Sequence, residues 1–240
     1  MSVSASCLAC SELQSDDIGQ MFEVFENAYD DVCRVRFEQD VKDKTHCIVL
    51  RNADEAIVGF STLKLYDVVW KQQPRRVIFS GDTIIQRAYW GSQQLAFAWS
   101  HLAGELWRQA PETPLYWFLI CKGHRTYRYL RAMMLDYAPR VGVDTDPEMQ
   151  AWMDYLAHLR FGQAYNPQTG LVRFDTPQGR LTSVLAEIPA THLRLPDVAF
   201  FLQKNPHYAC GDELVCVSEI APGNVRPFAL RLFNRSLEPS

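Results

Sequence analysis

The residues of this sequence best placed to do chemistry lie between positions 76 and 131. Asp82 sits inside the apolar run Phe79-Ser-Gly-Asp-Thr-Ile-Ile. A carboxylate held in a buried strand has a raised pKa, which moves it toward useful proton transfer. The alternative is a carboxylate that faces solvent or caps a neighbouring turn. Gly81, in the interior of the same strand, marks a bulge or a close backbone approach. Gly91-Ser92 then opens a helix, where converging backbone N–H groups suit a phosphate, although an ordinary strand-to-helix turn would read the same way. After the next strand, Lys122-Gly-His-Arg-Thr-Tyr-Arg-Tyr gathers His124, Arg125, Tyr127, Arg128 and Tyr129 within a few residues. His124 is a candidate base or a structural histidine. Arg125 and Arg128 contact a phosphate or form a solvated basic face, and the two tyrosines either act or pack.

Other chemistries find less support. There is no Ser-His-Asp order, no Walker A loop and no HExxH helix. Asp30-Asp31 and the acidic stretch 144–146 are too local to build a metal cage alone. Cys7-Leu-Ala-Cys10 is the only CxxC among the 7 cysteines. Cys210 with Cys216 makes a poor second ligand pair, so the cysteines read as small buried hydrophobes and no metal is expected. Scattered, odd-numbered thiols fit a reducing compartment. The formal charge of -4 argues against a nucleic-acid partner. No apolar run approaches the length of a membrane span. The start Met1-Ser-Val-Ser-Ala-Ser lacks the cationic and apolar parts of a signal peptide, so the expected location is cytoplasmic.

The elements that must position these residues can be read from periodicity. With 240 residues, 48% of them apolar and 22% charged, the chain has an ordinary globular balance and room for one large domain. A strand is expected over residues 7–13. Ser15-Asp16-Asp17 caps a helix whose Ile18, Met21, Phe22, Phe25, Ala28 and Tyr29 share one face. A second helix is expected over 31–42. Strands follow over 46–51, 57–70 and 76–86. Leu95, Trp99, Leu102 and Leu106 mark the apolar stripe of a helix over 92–108. The run 115–121 is apolar throughout, as in a strand buried on both faces. Short helices are expected over 126–135, 147–159 and 197–204, and an irregular excursion or hairpin over 165–188. Residues 139–146 look like a boundary. Strands over 213–220 and 226–233 close the chain. The pattern is α/β in the α+β sense: a mixed, mostly antiparallel sheet flanked by helices, with one crossover helix.

Strand, anion-binding turn, helix, buried strand and tyrosine-bearing helix, in this order, resemble the coenzyme A site of the GNAT N-acetyltransferase superfamily. In that family the turn has Gln or Arg, two residues, Gly, one residue, then Gly or Ala. Here Gln86-Arg87-Ala88-Tyr89-Trp90-Gly91 keeps the first and last positions and puts Tyr89 in place of the middle glycine. The resemblance covers about residues 7–135 and 213–233 as the core of a single GNAT-like domain, with an insert at about 139–212 that would cover the acceptor side of the cleft. It implies transfer of an acetyl or longer acyl group from acetyl-CoA or another acyl-CoA to a small-molecule or peptide amine. It also implies site roles. Thr83, Ile84 and Ile85 would offer the strand edge to the donor's pantetheine arm, with a backbone N–H polarising the thioester carbonyl. Arg87, Gly91, Ser92 and Gln93 would hold its phosphates. Asp82 would be the base, with His124 as a second candidate. Tyr127 would protonate the departing thiolate, and Tyr129 is the fallback. The departure at Tyr89 leaves two other readings open. One is a synthase that takes its acyl group from an acyl carrier protein. The other is a silent GNAT-like domain that binds a ligand or partner.

Overall fold

The computed structural model describes residues 2–176 and 178–235. In chain order the elements are β1 (Val3–Ala9), α1 (Ser15–Glu26), β2 (Tyr29–Asp30), α2 (Arg34–Asp43), β3 (His46–Asn52), β4 (Ile57–Trp70), β5 (Gln73–Ile85), α3 (Gln94–Gln109), β6 (Leu115–Cys121) and α4 (His124–Met133). Then follow α5 (Pro147–Phe161), β7 (Tyr165–Asn166), β8 (Leu171–Val172), β9 (Arg180–Leu181), α6 (Ser183–Ala186), α7 (Ala190–Leu193), α8 (Pro196–Lys204), β10 (Glu213–Ile220) and α9 (Pro227–Phe233).

Local chemistry explains several of the boundaries. The Asp17 side chain accepts from the Gln14 N–H at 3.0 Å and fixes the start of α1. Asp146 accepts from the amides of Glu148 and Met149, and Pro147 occupies the first position of α5. The β4–β5 hairpin turns on Lys71 and Gln72, both with positive φ (49° and 62°). That is the conformation a two-residue turn needs to match strand twist, held here without glycine.

The main sheet runs β1-β3-β4-β5-β6-β10-β8-β7. Every neighbouring pair is antiparallel except β5–β6, which is parallel and spanned by the crossover helix α3. Successive residues of a strand alternate between the two faces. Ile78, Leu115, Trp117 and Leu119 thus join Leu95, Trp99 and Leu102 of α3 on one face. On the other face, Val77, Phe79 and Phe118 pack with Trp152, Met153 and Leu156 of α5. Farther along that second face, Cys47, Val49 and Phe60 meet Met21, Phe22 and Phe25 of α1 and Phe37 of α2.

Two expectations need correction. Residues 226–233 are not a strand. Pro227 starts a helix, and Ala229 and Phe233, one turn apart, carry the burial while Phe228 is 51% exposed. This α9 lies on α3 rather than beside β10. The strand that does pair with β10 is β8, from the expected insert. The first strand spans Val3–Ala9 and gives way to a 3-10 turn at Cys10, so it begins and ends earlier than residues 7–13. Residues 139–146 carry no regular helix or strand, yet the chain is tied to the sheet at their start: Ala138 and Val217 exchange both backbone hydrogen bonds at 2.8 Å.

Candidate functional site

The site begins where β5 and β6 part. Their parallel pairing runs from Arg76↔Leu115 to Ser80↔Leu119 and stops. β5 continues to Ile85, paired on its other side with β4 alone. Gly81 falls at this point. The register slips between Ser61 and Leu63 of β4, and a Cβ on Gly81 would stand 2.6 Å from Thr62 Oγ1 and 2.7 Å from Lys44 Cε. A side chain there would have to displace Thr62 or Lys44.

Two cavities open at the parting. The first, about 180 Å³, is bounded by Phe25, Tyr29 and α2 on one side and by Arg160, Phe161 and Phe174 on the other, with Asp82, Lys122 and Glu213 at its floor. The second, about 530 Å³, is bounded by Thr83, Ile84 and Ile85 of the splayed strand, by Trp90, Gly91 and Ser92, by Arg125 and Tyr129 of α4, and by Leu181, Leu185 and His192. The sequence-derived cofactor residues Thr83, Ile84, Ile85, Gly91 and Ser92 therefore do line one cleft. Arg87 and Gln93 lie outside it. Arg87 instead stands 5.9 Å from the Trp90 ring, and Arg125 lies over the same ring at 4.3 Å.

The phosphate turn differs from its expected form. Arg87–Tyr89 is a 3-10 turn, and α3 starts at Gln94 rather than at Ser92. The amides of Tyr89, Trp90 and Ser92 donate to Gln86, Arg87 and Tyr89 within the turn. They are spent locally and cannot also cradle an anion. Gly91 has φ of 95°, which explains the glycine, but a Cβ there would meet nothing within 4 Å. What the turn offers the cleft is the Trp90 indole, held by a 2.8 Å bond from its Nε1 to Ile85 O.

Among the proposed catalytic residues, Asp82 opens into the first cavity. Its carboxyl is pushed up to about 7, chiefly by burial, then by the nearby Asp40 carboxylate; Lys122 and Lys44 oppose this and Glu213 adds to it. Asp82 has no hydrogen bond and no ion pair among the described residues. The other carboxylates of the cavity are matched: Asp40 with Lys44, Asp31 with Arg180, and Glu213 with Lys122 at 3.5 Å. Lys122 also donates to Gly179 O at 2.8 Å and lies 5.0 Å from the Tyr29 ring. Strand β9, which follows Gly179, pairs with β2, so these contacts close the insert over the cleft.

Tyr127 is not in the cleft. It is wholly buried, its hydroxyl donates to Pro139 O at 2.9 Å, and its ring packs against Tyr137, Phe200 and Phe201. Two residues on, Tyr129 occupies the cleft-facing side of α4, bordering the second cavity and a small third one beneath it. A two-residue step on a helix turns the side chain by most of a half-circle, and the sequence alone does not say which tyrosine faces inward. His124 also lies outside both cavities. It is buried, with Nε2 3.3 Å from His192 Nδ1, and is pushed down to about 4 by burial and then by Arg125, so at neutral pH it is uncharged.

The insert divides. α5 packs on the sheet face opposite α3, and Trp152 joins the core there rather than walling the cleft. Arg160 and Phe161, with Phe174 and Gln178, reach the first cavity, and Leu181, Leu185 and His192 reach the second. Thr126, Lys122, Glu213 and Trp90 were not singled out from the sequence. Their roles come from strand register and helix phase, which leave no local mark. Among the described residues no cluster of His, Cys, Asp or Glu is arranged to hold a metal ion, and no helix is long and apolar enough to cross a membrane.

No protein-family model matches the chain, and no curated protein matches it in sequence. Solved structures align with parts of it. One is a probable N-acyltransferase from Enterococcus faecalis (12% identity, TM-score 0.44), aligned over 57% of this chain and 33% of that one, so this chain spans about a third of its length. Another is a GNAT family N-acetyltransferase from Escherichia coli in complex with CoA (9%, 0.39, 54% and 69%). A third is an acyl-CoA N-acyltransferase from Pseudomonas aeruginosa (15%, 0.41, 62% and 95%). These are partial likenesses, and the functional reading rests on this chain's own cavities.

Proposed function

We propose that the chain transfers an acyl group from an acyl-CoA thioester to an amine. The observation that carries this reading is the meeting of two unlike cavities at the open end of β5: a basic, aromatic and apolar cleft on one side, and an unpaired carboxylate on the other. The larger cleft suits the donor. Trp90 and Arg125 offer a flat, cationic surface for phosphate and adenine, and the free strand edge from Thr83 to Ile85 suits the amide-bearing pantetheine arm. The smaller cavity suits the acceptor. Asp82 takes a proton from the ammonium, and the neutral nitrogen attacks the thioester carbonyl. The C–N bond forms and the C–S bond breaks; the thiolate leaves with a proton from the Tyr129 hydroxyl, the second proton lost by the nitrogen restores that hydroxyl, and Asp82 gives its proton to solvent. This assignment moves the acid from Tyr127 to Tyr129 and leaves His124 without a catalytic role.

A second reading is favoured by the spent amides of the turn. A carrier-bound acyl-pantetheine carries no adenosine diphosphate and needs no backbone cradle at residues 89–92. The test is thiol release from acetyl-CoA, and from an acylated carrier protein, against a panel of amines, with Asp82→Asn as the control. Release from acetyl-CoA that depends on Asp82 supports the first reading. Release from the carrier alone supports the second, and release from neither rejects acyl transfer.

A further inference from the structure

Resting on the acyl-transfer reading, we infer that the acceptor is a monoamine built on a single aromatic ring, and not a polyamine or a lysine side chain of a peptide.

Three features of the first cavity lead there. The first is its lining. Phe25, Tyr29, Phe37, Phe79, Phe161 and Phe174 all border it. They come from both sides: Phe25 and Phe37 from α1 and α2, Phe161 and Phe174 from the insert. Rings set around one space favour a flat apolar guest, through edge-to-face and offset contacts as well as burial.

The second is charge. A polyamine or a basic peptide needs several carboxylates that are free to meet it. Asp31, Asp40 and Glu213 already hold Arg180, Lys44 and Lys122, and Arg160 lies 3.4 Å from Asp43 and over the Phe79 ring. Of the described carboxylates that line the cavity, Asp82 alone has no ion pair, so the cavity offers one position for one ammonium.

The third is size. The cavity holds about 180 Å³. An apolar cavity engineered in another protein, at about 150 Å³, accepts benzene. One ring and a short arm fill this cavity, whereas a lysine side chain, which carries no ring, leaves its aromatic walls unfilled.

Calorimetric titration at pH 8, with and without CoA, compares 2-phenylethylamine, spermidine and an acetylated lysine amide. The expected result is at least tenfold tighter binding of 2-phenylethylamine than of either other amine. Phe174→Ala should weaken that binding about tenfold, with Tm measured to show that the fold is intact; Phe174 is only partly buried and lies outside the regular elements. Asp82→Asn should weaken it as well. Equal or tighter binding of spermidine or the lysine amide overturns the inference, as does an unchanged affinity in Phe174→Ala or no binding of 2-phenylethylamine. Binding of 2-phenylethylamine without thiol release from any donor leaves the cavity assignment standing and removes the acyl-transfer reading instead.

Discussion

Thr83 at the splayed end of β5 and Thr126 in the first turn of α4 border the same three cavities: the one that holds Asp82, the one that holds Trp90 and Arg125, and the small one beneath Tyr129. Thr83 is fixed there by a 2.7 Å contact between its hydroxyl and that of Ser61. The two residues mark where the cavities adjoin, which under the proposed function is where donor and acceptor would meet.

Bulk at this passage should separate binding from turnover. In Thr126→Leu, the acyl-CoA should still stabilise the fold while kcat falls about tenfold or more, because a displacement of about 1 Å between reacting groups can cost up to about 10². Steady-state kinetics beside a melting curve checks this. Unchanged kcat would place the chemistry elsewhere.

Donor binding should be visible without an acceptor. At about a hundred times its dissociation constant, an acyl-CoA adds about 2.7 kcal/mol, which in a chain of this size raises Tm by roughly 5–10 °C. Arg125→Ala should shrink the shift, because Arg125 backs the Trp90 ring at 4.3 Å in the cleft. No shift with any acyl-CoA at millimolar concentration would eliminate the CoA-dependent reading.

Asp82 gives a pH dependence with a definite sign. A base must be ionised, so kcat/KM for an acceptor held in one charge state should rise with pH and level off above about 7, where the carboxyl loses its proton. Stability should move the other way. The unfolded chain releases this proton near pH 4 and the folded protein keeps it to about 7, so rising pH across that window weakens the fold. Asp82→Asn should therefore gain Tm relative to the parent protein between pH 5 and pH 8. A Tm difference that does not vary with pH would show that Asp82 is not buried as described.

The two tyrosines of α4 should behave oppositely. Tyr129→Phe should keep its Tm and lose turnover by about 10² if its hydroxyl is the proton donor. Tyr127→Phe should keep its turnover and lose stability, by about 1–3 kcal/mol if the Pro139 carbonyl is left unsatisfied. Kinetics and melting on both variants decide the matter, and a loss of turnover in Tyr127→Phe alone would restore the sequence-based assignment.

The docking of α9 depends on a single absent side chain. A Cβ at Gly104 of α3 would stand 2.0 Å from Phe233 O, where backbone cannot easily give way. Arg108 donates to the same carbonyl. Gly104→Ala should destabilise the fold by about 1–3 kcal/mol through overpacking, despite the gain in helix propensity. A neutral or raised Tm would mean that α9 is not seated on α3 as described.

The sequence by itself determined the layout of the core. The apolar runs of β4 and β6 and the stripe of Leu95, Trp99, Leu102 and Leu106 are local patterns, and a buried face imposes them on the residues that make it. The parallel step across α3 followed from them, and so did the placing of Asp82 within an apolar strand. What the tertiary structure alone decided concerns phase and partner. Tyr127 and Tyr129 are alike in sequence, and only the packing of Phe200 and Phe201 on α4 turns the first into the core and leaves the second in the cleft. Residues 226–233 fit two periodicities, and the close approach of Gly104 to Phe233 O belongs to the helix. Which carboxylates are already matched was also beyond the sequence. Ion pairs such as Lys122 with Glu213 join residues far apart in the chain, and no local pattern records what chain closure brings within 4 Å.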